Sequence, residues 1–106
     1  MPYLITTSLY PSEKAPEVAG RYLEALAMYP PDEGIGTEIV PAAVKSTHQG
    51  IKVLTISEIK EGKLDAAYTR TTNMMVMFQN IPGFAYTVEV HLKVEEAMSA
   101  IGMDMP

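Results

Sequence analysis

Displaced by 49 residues, the first half of this chain lies over the second with its apolar positions in register. Thr6 falls on Thr55, Ser8 on Ser57 and Lys14 on Lys63. An apolar stripe at 15, 18, 19, 22, 25, 26 and 29 falls position for position on 64, 67, 68, 71, 74, 75 and 78. Ile39, Pro41 and Ala43 fall on Val88, Val90 and Leu92. Identities are too few for a duplication. The shared change from a two-residue period to a helical one nevertheless describes two β-α-β units related by pseudo-symmetry.

The punctuation agrees. Residues 3–10 (YLITTSLY) are β-branched and aromatic and stop at Pro11, a strand. Ser12 offers an N-cap, and Pro16 fits only the first turn of the helix that follows, which runs to Pro30-Pro31. "PPDEGIG" is a loop. Strands 37–45 and 51–59 flank "STHQG", where Gly50 can take a positive φ. Pro41 lacks an N–H, so its strand belongs at a sheet edge. A second helix is expected over 64–80, Pro82-Gly83 ends it, and 84–92 alternate as a fourth strand. Val94, Met98 and Ile101 share the face of a short final helix, with Gly102 after it. The expectation is one α+β domain over residues 1–106, β-α-β-β-α-β plus a short helix, with antiparallel sheet order 4-1-3-2, the ferredoxin-like arrangement.

The stretch "MMVMFQNIPGFAYTVEVHL" (74–92) raises a choice between a Met/His metal box and ordinary core around a turn. Met74, Met75 and Phe78 fall on the helix stripe, where Met is a common filler, and Met77 lies 14 residues from His91 across a turn. Core is the reading taken.

Composition removes several chemistries. With no Cys there are no disulfides, thiolate metal sites or thiol nucleophiles. A net charge of −5 without a basic run speaks against nucleic acid. The longest uncharged stretch, between Arg70 and Glu89, contains Asn73, Gln79, Asn80 and Pro82-Gly83 and does not suit a membrane span. "MPYLITTSLYP" lacks the basic start of a signal peptide, so the cytoplasm is the expected location.

Taking Ile5, Leu9, Ile39, Leu54, Ile56, Val88, Val90 and Leu92 as the sheet face under the helices leaves a second face. That face would carry Leu4, Thr6, Ser8, Val40, Ala42, Val44, Val53, Thr55 and Ser57, with Thr87, Glu89 and His91 from the fourth strand. It is apolar with hydroxyls and few charges, so it should meet another copy of the chain. In the order of its elements, nearly the whole chain resembles the dimeric α/β-barrel superfamily. The resemblance implies two ferredoxin-like chains packed sheet to sheet around a small-molecule pocket. Similar in outline are small monooxygenases of antibiotic biosynthesis, muconolactone isomerases and haem-binding chlorite-dismutase relatives. It carries over no functional residue.

His91 is the candidate acid–base residue, with Glu89 two positions away on the same strand face. The bland alternative is that both are simply solvated. Thr6, Ser8, Thr55, Ser57 and Thr87 are candidate ligand-binding hydroxyls, or else ordinary strand residues. Tyr3, Tyr10, Tyr68 and Tyr86 could line a pocket mouth, and His48 belongs to the hairpin turn. "GIG" at 34–36 precedes a strand and is a weak phosphate signal. No metal site and no cofactor are expected. Three functions compete: a small-molecule-binding homo-oligomer with its pocket between sheets, a cofactor-free monooxygenase- or isomerase-type enzyme using His91 and Glu89, and an interaction module.

Overall fold

The computed structural model describes residues 1–104. Four strands, β1 (Tyr3–Tyr10), β2 (Gly36–Thr47), β3 (Gly50–Ile59) and β4 (Ala85–His91), form one sheet ordered β2-β3-β1-β4, with every neighbouring pair antiparallel. Three helices accompany it: α1 (Ala15–Met28), α2 (Leu64–Val76) and α3 (Val94–Ala100). The sheet order is the expected 4-1-3-2 counted from the other edge, and Pro41 stands on edge strand β2.

Local chemistry explains the boundaries. Ser12 does not cap α1; it opens a 3-10 turn, Ser12–Lys14, and Lys14 stands at the N-cap with Pro16 in the first turn. In the hairpin, Thr47 Oγ1 donates to the Gly50 carbonyl at 2.7 Å and accepts from Gln49 N at 3.1 Å. Gly50 has φ 130° and lies so close to the Tyr10 carbonyl that a Cβ would collide with it. Helix α2 stops at Val76 rather than near residue 80. Beyond it Met77 N and Phe78 N bond back three residues, to Met74 O at 3.1 Å and Met75 O at 3.0 Å. Arg21 of α1 fastens this end, donating to Met77 O and, at 2.8 Å, to Asn80 Oδ1.

The faces of β1 and β3 are the reverse of the sequence reading. Leu4, Thr6, Ser8 and Tyr10 are buried under α1 and α2, so Tyr3, Ile5, Thr7 and Leu9 point to the open side. Cross-strand pairing carries this outward: Thr6 stands opposite Thr55 and Val88, and Ile5 opposite Ile56 and Glu89. On β4 the assignment holds for Val88, which packs on the core, and for Thr87 and Glu89, which face the open side. Val90, expected to be buried, is 44% exposed. On β2 the register slips between Glu38 and Val40 and again between Val40 and Ala43, so alternation is interrupted there.

The core sits over the β1–β4 half. Tyr10, Val18, Ala25, Met75, Phe78 and Ile81 form its main cluster; Leu4, Ile59 and Ala67 form a smaller one. Phe84 stacks on Phe78 at 5.1 Å and on Tyr10 at 5.8 Å between ring centroids. Met74, Met75 and Phe78 are therefore core, and Met77 packs beside them.

Candidate functional site

Toward β2 the helices stand away from the sheet, and the strand side chains beneath them are small. Thr6 and Ser8 of β1, Val53 and Thr55 of β3, and Ala42 and Val44 of β2 floor a cavity of about 250 Å³. Val18, Ala19 and Tyr22 of α1, Met74 and Met75 of α2, and Phe78 of the turn after it roof the cavity. Thr6 and Ser8 are each only 7% exposed, which is unusual for hydroxyl residues in a mainly apolar wall. Thr55 Oγ1 donates to Pro41 O at 3.1 Å, where the β2 bulges interrupt the ladder. Burial raises the pKa of Tyr10 above its ordinary value, so its phenol at the cavity end stays neutral at physiological pH.

A second cavity, of about 370 Å³, lies at the other end of the same strands. Leu4, Ser57 and Ile59 form its floor, with Arg70 and Thr71 of α2 beside it. Its outer wall is the loop after α1. Pro30 and Pro31 end the helix there, and Asp32 shapes the turn: its Oδ1 accepts from Gly34 N at 2.9 Å and its carbonyl from Ile35 N at 3.0 Å. Arg70 donates to Pro30 O and lies 6.0 Å over the Tyr29 ring, so α2 holds the loop. Asp32, Glu33 and Glu38 are the carboxylates around this cavity.

The open face is a different surface. Its centre is Ile5, Leu9, Leu54 and Ile56, with Val40 and Ala43 toward β2. Lys45 and Lys52 mark one corner and Glu89 and His91 the diagonally opposite one. Thr87 Oγ1 donates to Glu89 Oε1 at 3.3 Å.

The candidates from the sequence therefore divide. Thr6, Ser8 and Thr55 meet around the first cavity, and Ser57 lines the second. Thr87, Glu89 and His91 stand exposed on the far side of the sheet, separated from them by its thickness. Of the tyrosines, Tyr10 reaches the first cavity, Tyr86 packs on Phe84, Tyr68 is exposed and Tyr3 lies on the open face. Tyr22, Tyr29, Asp32 and Arg70 were missed. Arg70 was recoverable, because it precedes Met74 by one helical turn. Among the described residues no three His, Cys, Asp or Glu side chains converge as a metal site, and no helix is long and apolar enough to cross a membrane. No family model, curated protein or solved structure matches the chain.

Proposed function

We propose that this chain binds a small molecule between its helices and its sheet, and that it does so as a homodimer of ferredoxin-like subunits joined through their open faces. The observation that carries the binding reading is the first cavity: apolar walls, with two hydroxyl side chains buried in its floor. On this reading the ligand sits inside each subunit, not between two sheets.

Surface area supports the dimer. The chain exposes 6809 Å², against about 5,800 Å² for a compact monomer of its mass, an excess comparable to the ~800 Å² each partner gives to a standard interface. Its radius of gyration, 15.3 Å, likewise exceeds the ~13 Å of a compact chain. The open face has an apolar centre and oppositely charged corners, so a two-fold axis between those corners sets Lys52 of each copy toward Glu89 of the other.

Ala19 lines the cavity from the exposed side of α1, so Ala19→Phe fills the space with little strain on the fold. A panel of small aromatic and alicyclic compounds should yield ligands that raise the melting temperature of the wild type and not of Ala19→Phe. A ligand at 100 times its Kd stabilises by about 2.7 kcal/mol. A panel without hits, or hits that Ala19→Phe retains, removes this reading.

A further inference from the structure

The two cavities are consecutive parts of one trough. Both lie between the sheet and α2, and among the described residues Met74 is the one that lines both. The floor continues without a break along β1 through Tyr10, Ser8, Thr6 and Leu4. At about 250 and 370 Å³, one part falls below the usual range for ligand pockets, ~300–1,000 Å³, and the other at its lower end; joined, they fall well inside it. Methionine is unbranched and changes rotamer cheaply, which makes the partition movable.

The trough is also graded. At the inner end Tyr10, Phe78 and Phe84 present aromatic surface. Thr6 and Ser8 stand in the middle. At the outer end the half-buried Arg70 faces Asp32, Glu33 and Glu38, and among the described lining residues it is the only cation. An anionic head there gains one guanidinium and meets three carboxylates. A cationic head is set against Arg70 at the deeper position. A neutral hydroxyl or carbonyl accepts from Arg70 and avoids both costs.

Resting on the reading that a small molecule occupies the helix–sheet cavity, we propose that the ligand is an elongated, uncharged amphipathic molecule. Its flat apolar body lies against Tyr10, Phe78 and Phe84, and its hydroxyl or carbonyl head passes Met74 to hydrogen-bond Arg70. The length comes from the joined cavities, the flat body from the aromatic end, and the neutral head from the charge balance at the loop.

The test is calorimetric titration of the full chain with rods of one length: biphenyl, 4-phenylphenol, biphenyl-4-carboxylate and 4-phenylbenzylamine, with naphthalene as a compact probe. 4-Phenylphenol is expected to bind about tenfold tighter than biphenyl, with the carboxylate and the amine both weaker than the phenol. Arg70→Gln should remove most of the phenol's advantage and leave biphenyl unchanged. The ranking on the wild type stands by itself should that variant fold poorly. Equal affinity for biphenyl and its phenol, or tightest binding by either charged rod, overturns the proposed head group while cavity binding stands. Naphthalene binding without any rod shows the trough closed at Met74 and overturns this proposal alone. No binding by any of the five, together with a compound panel that gives no hit, removes the cavity reading itself.

Discussion

Lys93 Nζ lies 3.0 Å from Glu58 Oε2, so the turn into α3 is anchored on the open side of the sheet, beside Tyr3. The hydrogen bond to Glu58 raises the pKa of Lys93 above its ordinary 10.5. Glu96, in the first turn of α3, is lowered from its ordinary 4.5, first by the Met1 ammonium 2.6 Å away and then by the Lys93 N–H at 2.8 Å. A raised ammonium stabilises fully below its ordinary pKa and loses that contribution as pH climbs through the folded value. A lowered carboxyl stabilises above its ordinary pKa and loses the contribution as pH falls through the folded value. Docking of α3 should therefore lose the Lys93 contribution as pH rises above 10.5 and the Glu96 contribution as pH falls below 4.5. Methyl NMR shifts of Val94 and Met98 report it. Lys93→Gln should abolish the alkaline step and Glu96→Gln the acid one; steps that persist in these variants assign docking to other groups.

Val53 and Leu54 are neighbours that point to opposite faces, which makes them a paired test of sheet orientation. Leu54→Glu sets a carboxylate in the centre of the open face and should give a folded monomer near 11.6 kDa by light scattering. Val53→Glu drives the charge under the helices and should destabilise the fold by about 3 kcal/mol or more. A wild type already at monomer mass ends the dimer reading. A larger stability loss for Leu54→Glu than for Val53→Glu would reverse the faces.

The Thr55 hydroxyl bridges β3 to Pro41 where the ladder is irregular. Thr55→Val keeps the shape, removes that bond, and should cost about 1 kcal/mol in the denaturant midpoint. Thr7→Val, on the open side of the same sheet, should change stability by less than about 0.5 kcal/mol. Equal effects at the two positions would show that the bridge contributes nothing.

Where one period dominated, the sequence was readable. The strands and helices are close to their expected places because Tyr3–Tyr10 alternates cleanly and the two helical stripes match. The choice of face on β1 was not readable, since Leu4 and Tyr10 on one side balance Ile5 and Leu9 on the other. Hydrophobicity favoured the side with fewer hydroxyls. Packing favoured the other, because Tyr10 closes an aromatic stack with Phe84 and Leu4 joins Ile59 and Ala67. The candidate site inherited this error: one strand parity assigned to the wrong side grouped His91 with hydroxyls it never meets. Asp32 belongs to the site through the loop that Arg70 holds, a contact that periodicity does not encode.

The central position of β1 has a kinetic consequence. β1 precedes the other three strands in the sequence, yet one of its partners, β4, is the last of the four, where His91 pairs with Tyr3. The β2–β3 hairpin closes locally through Gly50 and can form early, whereas β1 waits in an unfolded chain with "YLITTSLY" exposed. Such an uncharged, β-prone segment is prone to wrong pairing during that delay. Refolding should be slow, and its yield should fall as protein concentration rises, with added β1 peptide competing for the β3 edge.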